Sequence, residues 1–171
     1  MRLILIIFLL YKVYSIIPIY KILLSDNVNN ITELNYKIDT KGIGLTFDSN
    51  SEYNLLPYDL FYVIKSIYSS IYFDCFPYDY ILENELITLK CQFYLDLRLI
   101  PMNIITENFG IKIPSKYLFF DNNYFLFSTS KNQENIVIGK KLMDLMDIKI
   151  FEENGHYNAN INNNDFIVDL K

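Results

Sequence analysis

Tryptophan is absent from this 171-residue sequence, alanine and histidine occur once each (Ala159, His156), and there are only two cysteines and five glycines. The lone histidine lies far from Cys75 and Cys91, and neither cysteine has a ligand neighbour at a recognisable metal spacing. The sequence therefore points to no metal and no cofactor, and a cysteine nucleophile has no support. Positive charge is also short: 15 Lys and Arg against 20 Asp and Glu give a net charge of −5. Without a basic stripe, nucleic acid is excluded as the expected partner. After the amino terminus no apolar run is long enough to span a bilayer. There is no internal repeat.

What is present describes one globular unit. The length is that of a single domain able to bury a core, and 51% apolar with 20% charged residues is a folding rather than a disordered composition. Tyr, Phe, Ile and Asn crowd the chain. A skew of that kind follows genome nucleotide bias as readily as function, so it carries no functional signal.

Residues 1–15 read as a secretory signal peptide, and 16–171 as the single folded unit. Arg2 supplies the positive start, residues 3–10 the apolar stretch, and Val13-Tyr14-Ser15 a small residue at a cleavage point. Lys12, Pro18 and Lys21 interrupt the run before the roughly 20 apolar residues of a span; an uncleaved anchor is the alternative. In a secreted protein Cys75 and Cys91 are free to bridge, with free thiols as the other reading. Asn30-Ile31-Thr32 is a glycosylation sequon, hence a surface segment.

Local pattern divides the remainder into many short strands and two short helices, a mostly β chain. Strands are expected over 20–24, 34–38, 42–47, 86–91, 124–128 and 136–139. Residues 58–70 form the clearest helix, with Leu60, Val63, Ile64, Ile67 and Ile71 on one face, and 140–146 the second. Residues 73–80, broken by Pro77, read as irregular. Hairpins are expected from 102–106 with 111–113, and from 148–151 with 156–161 about the turn dipeptide Asn154-Gly155.

The stretch from Gly42 to Pro57 organises the rest. Ile43, Leu45 and Phe47 alternate as a half-buried strand that ends on a carboxylate, Asp48. Ser49, Asn50 and Ser51 follow, then Leu55-Leu56, and Pro57 pre-sets the first turn of a helix. An acid held in such a turn, among hydroxyls and N–H groups, is one whose charge can be oriented. On spacing alone, the same Asp also serves to bind local backbone.

Phe47-Asp48-Ser49-Asn50-Ser51 with Leu55-Leu56-Pro57-Tyr58 resembles the pepsin family of aspartic proteases, where a strand delivers Asp-Thr/Ser-Gly-Ser/Thr ahead of an apolar pair, a Pro and a helix. Later segments follow the order of that family's carboxyl-terminal lobe: Cys91, the 102–113 hairpin, Pro114-Ser115-Lys116-Tyr117, Val137-Ile138-Gly139, a short helix and a closing hairpin. The likeness covers nearly all of the chain after residue 15.

The resemblance implies the fold of one pepsin-type lobe and aspartic-type peptide hydrolysis, in which two carboxylates share a proton and activate water. Asp48 would be one of them. Ser49 would join the hydrogen bonds that lock two Asp loops together, Ser51 would donate to the outer carboxylate oxygen, and Val137-Ile138-Gly139 would lie beneath the turn.

The departures are equally specific. Asn50 stands where the family has Gly; if that position needs positive φ, Asn is the least costly substitute. No second Asp-Ser/Thr-Gly loop occurs, since Asp39-Thr40-Lys41-Gly42 reads as a hairpin turn, and no Tyr-Gly pair marks a substrate-covering flap. Two functions are therefore implied. One is a protease whose second carboxylate comes from a homodimer, as in retroviral proteases, or from a separate amino-terminal lobe. The other is an inactive relative that binds peptide or protein, as plant inhibitors of this fold do, or a degenerate remnant.

Overall fold

The structure is a computed structural model that describes residues 16–25, 36–71, 75–79, 85–92, 100–120 and 124–168. The expected signal peptide (1–15), the sequon at Asn30 and residues 34–35 of an expected strand lie outside the described residues.

The described chain is mostly β, in three sheets. β1 (Ile17–Leu24) is the spine of the largest. It pairs along one edge with β7 (Met102–Thr106), which pairs in turn with β8 (Gly110–Ile113) as the expected hairpin. A bulge at Tyr20 interrupts the β1–β7 ladder and leaves that ring 72% exposed. β2 (Tyr36–Ile38) pairs with the end of β1, and β3 (Gly44–Asp48) with its beginning.

This corrects the expected hairpin at Asp39–Gly42. The turn exists: Asp39 Oδ1 accepts from Lys41 N at 3.0 Å, Ile43 N donates to Thr40 O at 2.9 Å, and Gly42 takes φ +80°. The strands on either side of it both lie along β1 instead of on each other, because eight residues of β1 offer enough edge for two short strands in series.

From β3 the sheet continues through β12 (Ile136–Gly139), β4 (Asn54–Leu55) and β11 (Phe127–Ser128). The second sheet runs β5 (Cys75–Asp79), β6 (Ile87–Cys91), β10 (Tyr124–Phe125), β9 (Phe119–Phe120). Residues 75–79, expected to be irregular because of Pro77, form a strand. Pro has no N–H for a ladder, but β5 is the edge of its sheet, where that donor is dispensable. Within it Cys75 and Cys91 stand opposite each other and are disulfide-bonded, with Cα atoms 4.0 Å apart.

The expected strand 124–128 is split. Its first two residues belong to the second sheet and its last two to the first, with Leu126 N donating to Leu118 O at 2.7 Å between them. β13 (Ile148–Glu153) and β14 (His156–Ile161) make the third sheet, closed by Asn154 and Gly155 at φ 52° and 79°, the two-residue turn their sequence foretold.

Three helices are described. α1 (Tyr58–Ile71) buries Leu60, Phe61, Ile64 and Tyr68, while Val63 of the expected face is exposed. Two aromatic rings outweigh one valine in the area they remove from water, and Phe61 and Tyr68 pack on Phe125 at centroid distances of 6.4 and 5.6 Å. The buried stripe is therefore rotated toward the rings.

α2 (Ser115–Leu118) is a single helical turn where only a bend was expected. Tyr117 stacks on Phe166 at 5.1 Å, and Lys116 Nζ donates to Asp165 Oδ2 at 2.9 Å. That hydrogen bond raises the lysine pKa, so its contribution is whole below the ordinary lysine value and is lost as pH climbs through the raised one. Both groups are open to solvent, and such pairs contribute little. α3 (Lys140–Met146) follows β12 directly and ends at Asp147 in the left-handed region.

Candidate functional site

β3 carries Asp48 to the edge of the sheet core. Leu45 is fully buried, Thr46 and Phe47 are half-buried, and Asp48 is the last residue of the strand, half-buried itself. The chain then reverses: Ser51 N donates to Asp48 O at 3.1 Å and Asn50 N to Asp48 Oδ1 at 2.9 Å. A carboxylate that accepts from the N–H two residues on is how Asp stabilises a turn of its own making. Among the described residues its other oxygen, Oδ2, takes no hydrogen bond.

β12 lies between β3 and β4, parallel to the first and antiparallel to the second. The register sets Ile138 opposite Phe47 and Gly139 opposite Asp48. Val137-Ile138-Gly139 is thus the immediate neighbour of the Asp48 strand, as the sequence expectation required.

The closing of this layer depends on Gly139. A Cβ there would meet the carbonyl oxygens of Tyr53 at 2.7 Å and Ser51 at 2.8 Å. Its N–H donates to Asn54 Oδ1 at 2.8 Å, and the next N–H, of Lys140, to Ser51 O at 3.0 Å.

The other two candidate residues do not meet Asp48 as expected. Ser51 Oγ donates to Tyr53 O at 2.7 Å and accepts from Tyr53 N at 3.2 Å, so its hydroxyl is bound within its own turn. Ser49 is exposed, and no second Asp loop faces it among the described residues. Asn50 is exposed and its φ is negative, so the exchange of Gly for Asn imposes no left-handed strain on this turn.

The residue that sequence reasoning missed is Asn54. It sits at the start of an apolar pair, is 8% exposed, and bridges β4 to Gly139, 85 residues away. A buried amide beside Leu55-Leu56 is the signal that was available. Asn54→Ala is expected to leave the Gly139 N–H without a partner and to lower stability by about 2 kcal/mol; urea unfolding reads this as a lower midpoint at constant slope.

Among the described residues no three His, Cys, Asp or Glu side chains converge as a metal would need, and no helix is long and apolar enough to cross a membrane. No protein-family model matches the sequence, and no curated protein matches it either.

Proposed function

We propose that this chain is a secreted, aspartic-protease-like lobe of the pepsin type, carrying one carboxylate of a catalytic pair and requiring the second from another copy of itself or from a separate lobe. The observation that carries this reading is the register of β12 on β3, which sets Gly139 beside Asp48 at the head of a strand-turn-helix. It is the arrangement that the pepsin-like order of motifs calls for.

The chemistry follows from the turn. Asp48 Oδ1 is held by the Asn50 N–H, while Oδ2 is left for a partner carboxyl or a water. Two carboxyls brought within a few ångströms share one proton; the ionised one takes a proton from water as the neutral one donates to the peptide carbonyl. One Asp turn per chain does not make that pair.

Ile16, just ahead of β1, and Tyr20 within it are 54% and 72% exposed and offer apolar surface to another chain. The buried Cys75–Cys91 bridge supports an oxidising compartment.

The test is Asp48→Asn. Under this reading, cleavage of peptides at acidic pH grows faster than linearly with protein concentration, and the variant loses it by at least about a thousandfold. Association is unchanged. Acid-dependent cleavage by monomeric protein that survives Asp48→Asn would falsify the proposal. A second reading, a binding protein without catalysis, is favoured by one observation: the Ser51 hydroxyl serves Tyr53 O and not Asp48. It predicts no cleavage at any concentration and partner binding indifferent to Asp48→Asn.

A further inference from the structure

β13 and β14 form a hairpin apart from the other two sheets, and only one of its faces is covered. Ile148 and Ile150 pack toward the core, whereas Lys149, Phe151 and Glu153 share the opposite face and are exposed. Phe151 is 42% exposed, and no described residue forms an ion pair with Lys149 or Glu153.

The backbone of β13 is open as well. Asn162 N donates to Asp147 O at 3.2 Å, in the register that pairs Lys149 with Asn160 and Phe151 with Asn158. Hydrogen-bonded pairs alternate in an antiparallel ladder, so Lys149, Phe151 and Glu153 turn their N–H and C=O toward β14. Those of Ile148, Ile150 and Glu152 point outward and meet no hydrogen-bond partner among the described residues. The outer edge of β14 is different: Tyr157 O, on the residue opposite Glu152, accepts from Asn108 Nδ2 at 3.3 Å. An open edge of this kind is a template for another strand.

We propose that β13 pairs antiparallel with β13 of a second copy of this chain, about a two-fold axis at Phe151, joining two hairpins into one four-stranded sheet. In that register Ile150 and Glu152 exchange backbone hydrogen bonds across the axis. The two Phe151 rings meet at a non-hydrogen-bonded pair, where Cα atoms come within about 4.5 Å. Lys149 stands opposite Glu153 of the second copy, once on each side of the axis. The run Ile-Lys-Ile-Phe-Glu-Glu is thus complementary in charge to its own reverse, which is what singles out a second copy as the partner. Centring on Lys149, Glu152 or Glu153 would oppose like charges, and centring on Ile150 would set Lys149 against Phe151. The pairing does not depend on any role for Asp48.

A strand of six residues makes a small interface. Sedimentation equilibrium is therefore expected to show a reversible dimer with a dissociation constant on the order of 100 µM. Lys149→Glu and Glu153→Lys, both at exposed positions, each weaken it about tenfold. The doubly substituted chain, and an equimolar mixture of the two single variants, set opposite charges face to face again and associate as the unaltered chain does. Amide exchange slows with rising concentration at Ile150 and Glu152, whose N–H groups lie on the open edge. A chain still monomeric at about ten times that concentration, or association indifferent to both charge reversals, would overturn the proposal. So would a double variant or a mixture that fails to regain association, or slowed exchange confined to other segments.

Discussion

Gly139→Ala is expected to destabilise the protein by about 3 kcal/mol or more. The methyl carbon would lie 2.7 Å from Tyr53 O and 2.8 Å from Ser51 O. Both obstacles are backbone, so no rotamer change relieves them. Relief requires residues 51–53 to move off β12, which stretches the Gly139–Asn54 and Lys140–Ser51 hydrogen bonds together. Overpacking of this kind costs about 1–3 kcal/mol, and a buried bond broken beside it about 1–3 more. Gly42→Ala is the control: nothing lies within 4 Å of a Cβ there, and only its φ of +80° opposes the substitution. Urea unfolding should show a much larger loss for Gly139→Ala. Equal losses would mean that the 51–53 segment does not press on β12.

Cleaving the Cys75–Cys91 bond is the second large effect. The two cysteines are 16 apart in sequence, and a closed loop of that length contributes about 3 kcal/mol in the chain-entropy model. The bridge also secures β5, an edge strand that contains Pro77 and pairs, among the described residues, with β6 alone. Both half-cystines are buried, at 4% and 0% exposure, so Cys75→Ala with Cys91→Ala adds a packing defect to the entropy. The unfolding free energy should fall by at least about 3 kcal/mol on substitution, read as a lower urea midpoint. Unfolded protein should take up thiol reagent only after a reductant is added; immediate labelling would show two free thiols.

The legible parts of this fold were those whose cause is local. Residues 136–139 and 140–146 form the strand and helix that their apolar spacing specified, and Asn154-Gly155 formed its turn, because these patterns act within a few residues. What escaped depended on which elements lie side by side. Pro77 forbids an interior strand but not an edge, and sequence does not say which position a strand takes. The inward face of α1 was decided by Phe125, far along the chain. The Ser51 hydroxyl donates within its own turn, to Tyr53 O, which residue spacing alone does not reveal. Asn54 looked like an ordinary polar residue until Gly139 was found beside it.

The placement of β12 between β3 and β4 also sets an order of events. Those two strands are consecutive in the chain, yet the segment that joins them arrives 85 residues after Asn54. During synthesis the Asp48 turn stays open on one side until residues 136–139 have left the ribosome, and only then do the Gly139 and Lys140 N–H groups close it. Pairing across so long a loop is slow compared with forming a helix or a hairpin. The carboxylate thus acquires its neighbours late, after the hairpin of residues 102–113 has already been available to fold.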